Sequence, residues 1–138
     1  MSDRAFLDTN VLVYLFDRDT PAKQQRAREV LEAEGGSAAV STQVLQEFYV
    51  TVTRKLGQPL AEKDAEAAVR DLAALEVVPV DTPLVLAAIA RSRGDRISLW
   101  DALVVESALH AGCRRLLTED LQDGRLFGRI RVENPFAG

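Results

Sequence analysis

Four carboxylates fall where an α/β chain would aim side chains at one edge of a sheet. Asp8 follows the apolar triplet Ala5-Phe6-Leu7, and Glu47 lies in the run Gln43-Val44-Leu45-Gln46-Glu47-Phe48. Asp101 stands three residues after Ser98, and Asp120 closes Leu116-Leu117-Thr118-Glu119-Asp120. Carboxylates held close together repel, so they take up protons or share cations. Mg2+ or Mn2+ resolves that repulsion, because hard divalent ions prefer oxygen ligands. Two such ions about 4 Å apart activate a water and stabilise a leaving oxygen, which is the chemistry of phosphodiester cleavage. The chain has one histidine, His110, deep in an expected helix with no nucleophile beside it. Histidine-rich zinc sites, a two-histidine mechanism and a serine triad are all disfavoured.

Each acid also has a plainer use. Asp8 could cap the turn Asp8-Thr9-Asn10, and Asp120 the turn before Asp123-Gly124. Ser98 and Asp101 have capping-box spacing, with aspartate in place of the usual glutamate or glutamine. Glu47 is harder to assign a structural role, since it sits near the apolar side of its helix, where an unpaired carboxylate is costly. An aspartate just past a first strand can also be a phosphoryl-transfer nucleophile, as in haloacid-dehalogenase-like phosphatases. Those need a second aspartate two residues on, where this chain has Asn10, and a later lysine, whereas no lysine follows Lys63. No glycine-rich phosphate loop or dinucleotide fingerprint is present.

The elements that would position these acids alternate short apolar runs with helical stretches. Strands are expected at Ala5–Leu7, Ser37–Val40, Val77–Val80 and Arg115–Leu117, with a fifth at the edge over Ile130–Val132. Thr20 and Pro21 read as N-cap and first helical residue of a helix running to Glu34, ahead of Gly35-Gly36. Ser41 caps a helix with Val44, Leu45, Phe48 and Val52 inward. Further helices are expected over Ala61–Leu75, from Asp81 or Thr82 with Pro83 to Arg93-Gly94, and over Leu99–Ala111 before Gly112. The stretch Leu121–Gly128 reads as a loop with at most a short helical turn. The order β-α-β-α-α-β-α-α-β-β implies an α/β sandwich with a mostly parallel central sheet of four to five strands. In such sheets ligands bind beyond the carboxyl ends of the strands, where all four acids fall.

With 138 residues, the chain suits a single domain over 1–138, and an apolar fraction of 47% suffices for a real core. A net charge of −4 argues against a generic basic coat for nucleic acid while leaving room for a local basic rim. Arginine, which clamps phosphate bidentately, outnumbers lysine, although genomic composition produces the same skew. The lone Cys113 excludes an intrachain disulfide framework. Val11–Phe16 is cut off by Asp17-Arg18-Asp19, far too soon to span a bilayer. The acidic opening around Asp3 and Asp8 is unlike a secretory leader. A cytoplasmic protein with no membrane partner is expected.

Phe6-Leu7-Asp8-Thr9-Asn10-Val11-Leu12, Ser98-Leu99-Trp100-Asp101-Ala102-Leu103 and Leu117-Thr118-Glu119-Asp120-Leu121, in this order and spacing, resemble a PIN domain. The likeness is specifically to the VapC type, the ribonuclease toxins of type II toxin–antitoxin systems, and it spans essentially the whole chain. Leu99 departs mildly from a position where many members carry a smaller or more polar residue. The resemblance implies that Asp8, Glu47, Asp101 and Asp120 form an acidic quartet holding Mg2+ or Mn2+. Asn10 and Thr118 would orient it, and Asp123 would be an additional acid. It further implies endoribonuclease activity leaving 5′ phosphate and 3′ hydroxyl ends, a homodimer, and inhibition by a VapB antitoxin whose C-terminal segment covers the groove. Around that site, Arg91, Arg93 and Arg96 are candidates to place RNA backbone or simply a solvated loop. Trp100 could stack on a base, with helix packing the stronger expectation. Tyr14, Phe16, Leu45, Phe48 and Tyr49 divide between core and a dimer or antitoxin surface. The rival to catalysis is an inert PIN-like module whose acidic groove binds a basic partner peptide or RNA without cleavage.

Overall fold

The structure is a computed structural model that describes residues 3–137; Met1, Ser2 and Gly138 of the expected domain lie outside the described residues. The chain runs through β1 (Ala5–Leu7), α1 (Thr9–Tyr14), α2 (Pro21–Glu34), β2 (Ala39–Ser41) and α3 (Thr42–Arg54). It continues through α4 (Glu62–Leu72), β3 (Glu76–Val78), α5 (Thr82–Asp95), α6 (Leu99–His110), β4 (Arg115–Leu117), β5 (Leu126–Phe127) and β6 (Ile130–Glu133). The strands form one sheet in the order β3-β2-β1-β4-β6-β5. All pairings are parallel except β5 with β6. The mostly parallel α/β architecture expected from the sequence is therefore present, with six strands rather than four or five.

The extra strand lies in Leu121–Gly128, which the sequence reads as a loop. Gly128, at φ 57°, turns the chain so that Leu126 pairs with Arg131 and Phe127 with Ile130. Two residues with one buried side chain carry too little periodicity to mark a strand. Only the neighbouring β6 reveals it, and β5 rather than β6 takes the edge. Shorter shifts follow from capping. Gly35–Ser37 forms a 3-10 turn, which delays β2 to Ala39. Thr20 precedes Pro21 as expected, yet its side chain makes no cap hydrogen bond.

The core explains why β1 is central. Ala5, Phe6 and Leu7 are wholly buried, as are Ala39 and Val40 in β2 and Leu116 in β4. Such continuous apolar runs mark a parallel strand covered on both faces. Each of the larger side chains contributes about 1.5–3 kcal/mol by leaving water. Helix α6 is buried around much of its girth, through Ala102, Leu103, Val104, Val105, Ser107 and Ala108, and packs chiefly against α5. Of the aromatic group left open above, Phe48 belongs to the core, where the Phe16 ring meets it edge-on. Leu45 and Tyr49 are only partly buried.

Candidate active site

The strand order reverses between β1 and β4, because the chain builds outward to β2 and β3 and then returns to lay β4 on the other side of β1. That reversal opens a crevice at the carboxyl ends of β1 and β4, the usual ligand position in such sheets. Asp8 leaves β1 there, its backbone N–H still bonded to the Leu117 carbonyl at 3.1 Å. Thr118, Glu119 and Asp120 leave β4 beside it. Helix α3 starts at the end of adjacent β2, capped by Ser41 Oγ, which accepts from the Val44 N–H at 3.2 Å. Helix α6 runs back toward the start of β4, so its first turn, with Asp101, also lies at this edge.

Asp8 caps α1 and is also the buried centre of the site. It is 5% exposed, Oδ1 accepts the Thr9 N–H at 2.7 Å, and Oδ2 accepts the Thr118 hydroxyl at 2.8 Å. Thr118 Oγ1 itself accepts from Asn10 Nδ2 at 3.1 Å and from the Asp120 N–H at 3.0 Å. With both lone pairs used, its single proton is committed to Asp8. Asn10 Nδ2 also reaches Asp120 Oδ2 at 3.1 Å. Thr9 extends the network the other way, its hydroxyl donating to Glu47 Oε1 at 3.0 Å. Thus Asp8, Glu47 and Asp120 are joined through Thr9, Asn10 and Thr118.

The electrostatics follow from this closeness. Burial pushes the Asp8 carboxyl up to about 7, against the lowering effect of its Thr118 and Thr9 hydrogen bonds and with help from Asp120 and Glu47. Asp101 is raised as well, first by burial and then by the charges of Asp120 and Glu47, while a Ser98 hydrogen bond opposes this. Ser98 does cap α6, its Oγ accepting the Asp101 N–H at 3.0 Å. Cap and acid cluster therefore share one residue. Among the described residues, no three His, Cys, Asp or Glu side chains stand close enough to hold an ion as they are. Glu47 and Asp120 act electrostatically on both Asp8 and Asp101, and Asp8, Glu47 and Asp120 are each held by a polar clamp.

An open groove of about 600 Å³ lies over this cluster, lined by Thr9, Asn10, Tyr14, Gln46, Glu47, Lys55 and Asp120 among others. Neither Asp8 nor Asp101 lines it. Beside it runs an apolar depression of about 370 Å³ between α3 and α4, formed by Leu45, Tyr49, Val50 and Val69 and sharing Gln46 and Val50 with the groove.

Three expectations are corrected. Asp123 stands outside the network: it is exposed, and its Oδ1 accepts the Asn134 N–H at 2.9 Å, so it ties down the chain after β6. Arg91 is bound by Glu106 and by Asp95 at 2.8 Å, which removes it from the RNA-placing candidates. Trp100 does not pack between helices but is 62% exposed. Sequence reasoning also missed Thr9 and Gln43 around Glu47, and the pairing of Glu119. Lys23 from α2 meets Glu119 at 3.1 Å, and Tyr14 Oη donates to the same carboxylate at 2.5 Å, which keeps a fifth acid neutralised at the rim. The spacing of Gln43 four residues before Glu47 was a usable signal; nothing local in the sequence links Lys23 to Glu119.

Residues 5–129 match the family model described as PIN domain. The chain belongs to the PIN domain family. This PIN domain is 33% identical to ribonuclease VapC24 of Mycobacterium tuberculosis, over 94% of each chain. Among solved structures it resembles a toxin–antitoxin complex from Klebsiella pneumoniae, with a TM-score of 0.72 and 21% identity over 96% of this chain and 98% of that one. It also resembles DNA-bound VapBC from Salmonella typhimurium, with a TM-score of 0.67 and 20% identity over 97% and 99%. At such identities the structural matches speak to the fold, which they share.

Proposed function

We propose that this PIN domain, as a single unit over residues 1–138, is a Mg2+- or Mn2+-dependent endoribonuclease and the toxin of a VapBC-type pair. The observation that carries the reading is the buried Asp8 carboxylate, joined through Thr9, Asn10 and Thr118 to the Glu47 and Asp120 carboxylates at the carboxyl ends of β1 and β4. A carboxylate so placed is costly unless a cation joins it, and the acids offer only oxygen ligands, which suits a hard ion. Asp8, Asp101 and Asp120 are the principal metal-holding residues in this reading, with Glu47 completing the site directly or through water. When bound, the cation supplies charge neutralisation and an acidified water at the scissile phosphate. The protein residues do the positioning. Thr118 fixes the Asp8 carboxylate by committing its proton to Oδ2, and Asn10 holds Asp120 on the same pivot. Lys55 in the groove wall offers positive charge to the RNA backbone.

The partner reading rests on the surface beside the site. VapC24 is named a ribonuclease, and the structural neighbours include toxin–antitoxin complexes. The apolar depression along α3 and α4 suits the apolar face of an antitoxin tail, and a basic side chain from that tail matches the adjoining acids. Leu86 and Ile89, exposed on one face of α5, offer a surface to a second copy in a homodimer. The toxin reading places its action in the cytoplasm; no helix among the described residues is long and apolar enough to cross a membrane.

The test is cleavage of mixed tRNA, ribosomal RNA and mRNA fragments with Mg2+ or Mn2+ and with EDTA. Cleavage that depends on the added ion is expected, and it should stop when a cognate VapB-type antitoxin is added. Turnover unchanged by thorough chelation would sink the metal mechanism. Inert protein that still binds a basic peptide would favour the docking module instead.

A further inference from the structure

Gln43 lies in the first turn of α3 and is 7% exposed. Its side-chain nitrogen donates one bond to Glu47 Oε2 at 3.3 Å and the other to the Trp100 carbonyl at 3.4 Å. Both neighbours are acceptors, so the amide has one permitted orientation: flipped, it would set its oxygen against a carboxylate and a carbonyl. The consequence is that Oε1 points elsewhere and is buried without a hydrogen-bond partner. A buried orphan of this kind costs stability that a methionine of similar volume would not. Packing alone therefore gives no reason for glutamine here.

The partners supply one. The Trp100 carbonyl belongs to the peptide group whose nitrogen is that of Asp101, and that N–H is held by Ser98. Gln43 thus holds the backbone that carries Asp101 with one hydrogen and the Glu47 carboxylate with the other. It spans α3 and α6, 57 residues apart in sequence. Thr9 fixes the opposite oxygen of Glu47 from the Asp8 side at 3.0 Å. Glu47 is thereby located between two clamps, and the Asp8 half of the cluster has its own in Thr118. Among the described residues, no side chain other than Gln43 bonds both Glu47 and the Asp101 turn.

We propose that Gln43 is a positioning residue that sets the spacing between Glu47 and Asp101, and through it the affinity and competence of the acidic site. The proposal rests on the nuclease reading above. It concerns a residue that touches neither substrate nor cation and acts only through the acids it holds. Removing such an outer partner costs about 10–100-fold in metal affinity or activity.

The experiment compares wild type with Gln43→Met, using Mn2+ titration calorimetry, steady-state RNA cleavage over a range of RNA concentrations, and thermal melts in EDTA. The methionine substitution should weaken Mn2+ binding by about 10-fold or more and lower kcat by a similar factor with KM unchanged. The melting temperature should hold or rise, since the buried orphan oxygen is gone. In a Glu47→Gln background the same change should cost much less, because the residue it acts through is already altered. Should the methionine variant melt too low to assay, Gln43→Asn keeps the amide but falls one methylene short of the bridge, and carries the same forecast for Mn2+ affinity and kcat. Unchanged Mn2+ affinity and kcat in a folded variant overturns the proposal, as does a loss of activity matched by lost stability with metal binding intact. Wild-type protein that neither binds Mn2+ nor cleaves RNA overturns the nuclease reading itself, a result distinct from either.

Discussion

Replacing Asp8 by asparagine should remove a pH dependence from the stability of the metal-free protein while abolishing cleavage. The sign follows from the direction of the shift. Unfolded, Asp8 ionises near its ordinary 3.8; folded, burial holds the proton until about 7. Between those values folding takes up a proton, so stability falls as pH rises through the window and the loss is complete above 7. A difference of that size corresponds to about 4 kcal/mol, at 1.36 kcal/mol for each unit. Asparagine is a close mimic of the protonated acid. Each presents one acceptor and one donor where the carboxylate presents two acceptors, so each gives up one of the two bonds that Thr9 and Thr118 donate. The variant should therefore match wild type near pH 4 and exceed it at pH 8 by up to about 4 kcal/mol, or about 14 °C in melting temperature for a domain of this size. Urea melts of both proteins in EDTA from pH 4.5 to 8 read this directly. Adding Mn2+ at pH 8 should reverse the order, since ligand binding stabilises only the form that binds it. Parallel stability profiles in EDTA would refute the reasoning, because they would mean that Asp8 is solvated well enough to ionise freely in the fold.

Asp101→Glu should keep the Ser98 cap and native circular dichroism, since glutamate is a standard capping-box partner. It should nonetheless lose most cleavage and weaken Mn2+ binding, because the carboxylate is displaced by a methylene; calorimetry and an RNA assay decide it. Thr118→Val should lose cleavage and about 2–4 kcal/mol in urea melts, as one buried hydroxyl serves Asp8, Asn10 and Asp120 together. Asp123→Ala should leave cleavage within about twofold and lower stability by about 0.5–1.5 kcal/mol, the worth of its bond to the Asn134 N–H.

The sequence by itself determined the frame. Apolar triplets bounded by Asp8 and Thr118, Ser41 and Ser98 as caps, Pro21 at a helix start and Gly112 at a helix end are local signals, and the structure obeys each. Because strand ends and helix starts alternate in an α/β chain, locating the elements was enough to send the four acids to one edge of the sheet. Tertiary structure alone decided what the acids do there. Asp8 and Asp101 look alike in sequence, one a cap and one beside a cap, and burial raises both; full enclosure pushes Asp8 to about 7 even against the lowering hydrogen bonds from Thr118 and Thr9. Glu119 and Asp120 are adjacent, but Lys23, 96 residues before Glu119, draws that acid to the rim while Asn10 keeps Asp120 at the centre. Asp123 shared the motif region and went to Asn134 instead. The two-residue β5 exists only because β6 offers it a ladder. In each case the deciding partner lies outside the local motif, and burial and hydrogen bonding are properties of the packed chain that no short window of residues contains.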